Sequence, residues 1–288
     1  MPPPTIYLDQ DALINLYEES VKTPGFKDKL TKAIADAQVT IVLSPWHWVE
    51  TAQTKDLTKA LPLAEFMDSL RPGWLRDRRH LETTEVEQKF FQFAGISYPP
   101  RGAIVARAEL LTEMNGFYVS PERAPTSREF VEGWIKAPKL MEPIVDSYQK
   151  NVRALVGLRE ALALGKVTSE MMKEGDRKHI QRHLPKSTPN GVVLDEGTKN
   201  AFLDKVTQTD FPTLSIESEI AEYSWANRGR TDWNSMIDKF HLISSTPYTE
   251  IVVSDDRFFY LLLPSAQKTG HVKAAVMKFA QFCAKFLP

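Results

Sequence analysis

Three short apolar segments, each closing on a polar or acidic residue, constrain this chain more than any other feature. They are Thr5-Ile6-Tyr7-Leu8 before Asp9, Val39-Thr40-Ile41-Val42-Leu43 before Ser44, and Ile251-Val252-Val253 before Ser254-Asp255-Asp256. None alternates apolar with polar residues, as a strand with one wet face does. Continuous apolar or β-branched runs of this length suit strands covered on both faces, the usual condition of a parallel sheet. Helical patterns at residues 12–19 and 26–37 separate the first two, giving a strand–helix–strand opening. The third segment lies near the other end. The expected fold class is therefore α/β, with a layer assembled from both ends of the chain.

Between about residues 57 and 216 the pattern changes to a 3.6-residue period with almost no strand signal. Helices are predicted near residues 57–70, 84–93, 127–135, 141–163, 169–183 and 195–206. Pro99-Pro100, the segment from Pro121 to Pro125, and residues 185–190 punctuate them. Residues 95–125 have no clear period and read as a long loop. The simplest organisation is a core from residues 1–56 and 217–288 carrying a helical insertion, residues 57–216.

Composition narrows the function. At 288 residues and 42% hydrophobic, the chain can bury a core without disulfides or a structural metal. Cys283 is the single cysteine, which excludes a disulfide framework and a cysteine-cluster zinc site. A net charge of −1 excludes a globally basic nucleic-acid binder but leaves local patches open. Met1-Pro2-Pro3-Pro4 runs straight into Thr5 without the basic and apolar segments of a secretion signal. The run from Phe258 to Leu263 is too short to span a bilayer. The expectation is a cytoplasmic protein with no membrane partner.

Ligands of open parallel sheets bind beyond the carboxyl ends of the strands. Asp9 and the Asp255-Asp256 pair occupy two such ends. Glu50 follows Ser44 in the first turns of a helix predicted to start at Pro45, a residue suited to that position. A further helix, residues 234–243, precedes the last strand and carries Asp238, with Asp232 just before it. Any one of these acids reads equally well as a turn residue or a helix N-cap. A set supplied by separate strand ends and helices points instead to a cation. Clustered carboxylates raise one another's pKa unless a cation neutralises them. Mg²⁺ and Mn²⁺ take oxygen ligands. A pair of such ions about 4 Å apart activates water and stabilises the leaving oxygen of a phosphodiester.

The residues that carry these acids resemble a family. Ile6-Tyr7-Leu8-Asp9-Gln10-Asp11-Ala12-Leu13 is similar to the opening of the PIN-domain nucleases. Ile41-Val42-Leu43-Ser44 with Val49-Glu50 resembles their second motif. Asn234-Ser235-Met236-Ile237-Asp238-Lys239-Phe240-His241, then Pro247-Tyr248 and the segment from Ile251 to Phe258, resembles their closing helix–strand–acid unit. The likeness covers the two ends of the chain and not the helical middle. It implies a PIN-like α/β/α sandwich with a central parallel sheet and a large helical insertion. It also implies a ribonuclease dependent on Mg²⁺ or Mn²⁺, a fold found in toxins and RNA-processing enzymes.

Carried over by position, the first acid is Asp9, the second Glu50 and the last Asp256, with Asp255 its close competitor. The third departs from the pattern. In relatives whose helix opens with an Asn-Asp pair the aspartate falls at Ser235, so here Asp238, or Asp232, has to serve. The expected catalytic set is Asp9, Glu50, Asp238 and Asp256, with Asp255 among the metal ligands. Asp11, Ser44, Ser235 and Ser254 stand behind them; Arg228, Arg230 and His241 contact RNA. A protein inhibitor of the antitoxin kind is a further expected partner.

Other constellations compete. Asp9-Gln10-Asp11 also resembles the nucleophile motif of the haloacid-dehalogenase phosphatases, with Asp9 as nucleophile, Leu43-Ser44 as hydroxyl motif and Asp255-Asp256 as metal motif. That reading leaves Glu50 and the helix at 234–243 without a task. A catalytically silent PIN-like module that binds RNA or protein is the third possibility, motivated by Ser235. Basic residues cluster around Trp74 (Arg71, Arg76, Arg78, Arg79, His80) and along 173–186. Each is either a phosphate-binding patch or a solvated helix face. His179 and His183 have the i, i+4 spacing of a metal pair, but no third ligand is apparent, so a surface pair is expected. His47, Trp46, Trp48, Phe258 and Phe259 read as packing residues. No Ser-His-Asp arrangement and no glycine-rich phosphate loop is present.

Overall fold

The apolar segments at the two ends of the chain pair side by side. In the computed structural model, residues 2–36, 38–140, 161, 164–166, 168–226 and 233–288 are described, with backbone only at 140, 169, 172, 224–226 and 233–236. Strand β1 (Thr5–Leu8) lies between β2 (Thr40–Leu43) and β5 (Ile251–Val253), parallel to both. Tyr7 is opposite Val42 on one side and Val252 on the other. With β3 (Gly73–Leu75), β4 (Ile104–Val105) and β6 (Ala275–Met277) the sheet has the order β4-β3-β2-β1-β5-β6. Only β4 runs antiparallel to its neighbour.

Two apolar faces explain the unbroken strand sequences. Ile6, Leu8, Ile41, Leu43, Ile251 and Val253 point into one core cluster, while Tyr7, Val42, Leu75 and Val252 point into another. This is the period of two expected of a strand, with both faces covered. The first face is covered by helices α1 (Gln10–Lys22), α2 (Phe26–Ala35), α3 (Pro45–Gln53), α4 (Leu57–Ser69), α6 (Arg107–Asn115), α7 (Ser127–Lys136) and α13 (Phe279–Phe286). The second is covered by α10 (Pro212–Ala226), α11 (Trp233–Ser245) and α12 (Arg257–Lys268). A third cluster stands apart from the strands. It joins α5 (Arg78–Phe93), α8 (Ser169–Arg182) and α9 (Glu196–Leu203) through Phe90, Phe91, Ile180 and Phe202.

Residues 57–216 are not purely helical. They give the sheet β3 and β4, and α4 and α7 pack into the same core as β1. The expected loop at 95–125 holds β4 and α6. These strands escaped the sequence pattern because they are two or three residues long, too short to display a period. Gly73 lets β4 come close: a Cβ there would stand 2.6 Å from the Ile104 side chain. Arg76, 3% exposed, donates from Nε to the Gly102 carbonyl at 2.8 Å and pairs with Glu109 and Glu113 on α6. The basic cluster around Trp74 is thus partly spent inside the chain, while Arg71 and Arg79 are exposed. Arg76 and Arg78 pair with acids of the chain, and Trp74 is itself buried. In the second basic cluster, Arg177 pairs with Asp204 and Lys178 with Glu174. The helix predicted at 141–163 lies almost wholly outside the described residues. Among the described residues, no helix is long and apolar enough to cross a membrane.

Candidate functional site

From β1 the chain reaches β2 on one side and, later, β5 on the other. The carboxyl ends of β1 and β5 therefore flank the point where the strand order reverses, where an open α/β sheet leaves a crevice. A cavity of about 420 Å³ opens there. Asp9, Asp11, Glu50, Asp238, Asp256 and His241 line it.

Each acid is delivered by a local rule. Asp9 directly follows β1 and caps α1, its Oδ1 accepting the Ala12 N–H at 2.7 Å. Asp11 lies in the first turn of the same helix, on the side that faces the cavity. Asp256 caps α12, accepting the Phe258 N–H and, at 3.2 Å, the Phe259 N–H. Ser254 joins the two: its Oγ accepts the Asp256 N–H at 3.1 Å and its hydroxyl bonds the Asp9 carboxyl. Glu50 is carried by α3, which starts at Pro45 after Ser44. Asp238 and His241 share one face of α11, three residues apart.

Burial and mutual repulsion govern the charge. Burial, offset by the bonds from Ser254 and Ala12 but reinforced by Asp11 and Asp256, raises the Asp9 carboxyl to about 7. Burial followed by the charges of Asp11 and Asp256 raises Glu50 to about 8. Asp238 rises to about 8, by burial and then by Asp256, Glu50, Asp11 and Asp9. Asp11 also rises, by burial and the charges of Asp256 and Asp255. His241, fully enclosed, is pushed down to about 3 by burial and is neutral. No Lys or Arg is among the described lining residues. An all-oxygen set held at raised pKa values fits a hard divalent cation, whose charge would return the carboxyls to their ionised form.

Behind Glu50 runs a buried chain of hydrogen bonds. Its Oε2 lies 2.7 Å from His241 Nε2. His241 Nδ1 meets the Tyr7 hydroxyl, which lies 2.9 Å from Ser44 Oγ. His47 closes the chain. Its Nε2 donates to the Leu8 carbonyl at 2.8 Å, so its Nδ1 accepts the Ser44 N–H at 3.0 Å. Burial pushes His47 down to about 3, in keeping with that neutral tautomer. With Glu50 ionised, His241 donates to it, Tyr7 donates to His241 and Ser44 donates to Tyr7. With Glu50 protonated, Glu50 donates to His241, His241 to Tyr7 and Tyr7 to Ser44. Glu50 is held in one position in either state.

The expected residues divide accordingly. Asp9, Glu50, Asp238, Asp256 and His241 meet at one cavity. Asp11, expected behind the ligands, lines the cavity itself, because the first turn of α1 faces it. Asp255 is exposed and is not among the lining residues: Asp256 takes the cap of α12 and turns its neighbour to solvent. Ser44 bonds Tyr7 and His47 rather than a carboxylate. Arg228, Arg230 and Asp232 lie outside the described residues, and the side chain of Ser235 is likewise not described. Sequence reasoning missed Tyr7 altogether, an ordinary strand residue whose one signal was its polar tip inside an apolar run. Comparison of the chain with protein-family models, with curated proteins and with solved structures finds no match.

Proposed function

We propose that the cavity is the centre of a nuclease that hydrolyses RNA phosphodiester bonds with Mg²⁺ or Mn²⁺, in a PIN-like arrangement. One observation carries the reading. Asp9, Glu50, Asp238 and Asp256, drawn from two strand ends and two helices, line one cavity at the switch in strand order. These are the acids, in chain order, that the resemblance of the sequence implies. Asp238 supplies the carboxyl that Ser235 lacks, which weighs against a silent module.

Asp9, Glu50, Asp238 and Asp256 would hold the cation, with Asp11 beside them. When bound, such a cation polarises a phosphoryl oxygen and makes water a nucleophile near neutral pH. The protein's own part is positional. The α1 and α12 N-termini fix Asp9 and Asp256, and the His241–Tyr7–Ser44 chain fixes Glu50. His241, whose two ring nitrogens are taken by Glu50 and Tyr7, would orient Glu50 rather than touch the phosphate.

The phosphatase alternative is less well supported. Glu50 and Asp238 would be idle in it, and the Ser44 hydroxyl bonds Tyr7 and His47. Single-stranded RNA cleavage with Mn²⁺ tests the proposal. Asp9→Asn and Glu50→Gln are expected to abolish it, whereas Asp255→Asn retains it. An undiminished rate in Asp9→Asn would overturn the reading.

A further inference from the structure

A second group of ligand-type side chains lies in the third cluster, and the cavity chemistry does not use it. Glu82 on α5 is 2% exposed; His179 on α8 and His183, the residue that caps it, face Glu82 from the other helix. The histidine pair thus has a third neighbour, and His183 is buried rather than on the surface. We propose that Glu82, His179 and His183 bind one Zn²⁺ ion, with water in the fourth position.

Distances argue for a metal over hydrogen bonds. Glu82 Oε2 lies 3.3 Å from His183 Nε2 and 3.5 Å from His179 Nε2. A hydrogen bond between an imidazolium and a carboxylate draws the atoms to about 2.7–2.9 Å. Ligands at zinc distances of about 2.0–2.1 Å on a tetrahedron stand about 3.4 Å apart. His179 Nε2 is buried and has no hydrogen-bond partner.

The tautomer agrees. His183 Nδ1 lies 2.8 Å from Thr83 Oγ1. The Thr83 hydroxyl donates its own proton to the Arg79 carbonyl at 2.9 Å, so its oxygen accepts from His183. Nδ1 of His183 therefore carries the hydrogen, and in the neutral ring Nε2 turns a lone pair toward Glu82. Zn²⁺ between them satisfies both lone pairs, where otherwise a proton on Nε2 would have to. A ligating histidine held by a hydrogen bond at its other nitrogen is the usual arrangement of zinc sites.

Arg78 Nε pairs with the other carboxylate oxygen, Oε1, at 2.8 Å and leaves Oε2 to the histidines. Two imidazoles and one carboxylate favour zinc over the harder magnesium and manganese. His179 is 31% exposed, which opens the cluster to a water ligand. The ion would tie α8 to α5 at the cluster that holds Ile180 and Phe90.

The experiment uses the full chain, stripped with chelator and dialysed against micromolar Zn²⁺, with bound metal measured by mass spectrometry. The Asp9→Asn/Asp256→Asn double variant serves as parent, so that zinc in the acidic cavity does not contribute. One zinc per chain and a rise in Tm are expected. His179→Ala, at a half-exposed position that tolerates truncation, and the isosteric Glu82→Gln should each lose that zinc while keeping the parent's circular dichroism. Thr83→Val should weaken binding about tenfold. Failure of the parent to retain zinc, or equal retention by folded His179→Ala, overturns the proposal.

Discussion

In the crevice beyond β1 and β5, five carboxyl groups face one another beside a neutral histidine. In the third cluster Glu82 faces Arg78 and two histidines, and Glu217 shares the same guanidinium. Both regions are buried, yet Glu82 responds in the opposite direction to the acids of the crevice. Burial raises Asp9, Glu50 and Asp238, and their neighbours raise them further. Burial pushes Glu82 upward too, but Arg78 and the imidazoles outweigh it and hold it below the usual carboxylate range. Enclosure sets the cost of a charge, and the sign of the neighbours decides whether that cost is met. Acids face acids in the crevice, whereas a guanidinium stands against Glu82.

Four experiments would break or sharpen this contrast. The largest effect is expected from Asp238→Asn, which should lower Mn²⁺-dependent RNA cleavage by about 1000-fold. Zinc retention at the Glu82 cluster should not change in that variant, and a loss of both would show that the regions act as one. Next is Arg78→Met. It leaves Glu82 and Glu217 without their cation and should destabilise the fold by about 3 kcal/mol in urea titrations. Arg78 also lies 5.3 Å over the ring of Phe240, on the helix that carries Asp238. A folded Arg78→Met protein that has lost cleavage would mean that the two regions communicate through that ring.

The third experiment is pH dependence without metal. Asp9, Glu50 and Asp238 have folded pKa values of about 7, 8 and 8, above those of unfolded carboxyls, so the folded state holds more protons. Stability should be greatest below about pH 4 for these groups and fall as pH rises toward about 8. Thermal melts should show that decline, and Asp238→Asn should flatten it. Mn²⁺ should raise Tm more at pH 8 than at pH 6, since protons compete less for the ligands. A Tm independent of pH across this window would remove the contrast with Glu82. The smallest effect is expected from Tyr7→Phe. Loss of the hydroxyl leaves His241 Nδ1 without its buried partner and should cost about 1–2 kcal/mol. An unchanged stability would mean that the hydrogen-bond chain does not hold Glu50.

The crevice was largely legible in the sequence and the helical cluster was not, for a physical reason. β1, β2 and β5 are apolar on both faces, so their strand character and the acids at their ends can be read locally. The Asp255-Asp256 ambiguity came from the same local reading. Which of two adjacent acids caps a helix depends on where the strand stops, and that is set by pairing with β1 and β6. β3, β4 and β6 are created by the sheet they join rather than by their own sequence, which is why they went unseen. The helical pair His179 and His183 was visible as a spacing. Its acid was not, because α5 and α8 meet across a sequence separation of 100 at Thr83 and His183. No periodicity reports a contact of that range.

The pairing of β1 with β5 has a consequence for biogenesis. Thr5 and Glu250 are hydrogen-bonded across 245 positions, at the middle of the sheet. A nascent chain displays Asp9 and Glu50 long before β5 and Asp256 have been made. The N-terminal strands wait, half-covered, for a neighbour far along the chain, a topology that favours slow folding and the protection of chaperones. An acidic cavity built this way stays unassembled until both distant segments have been made.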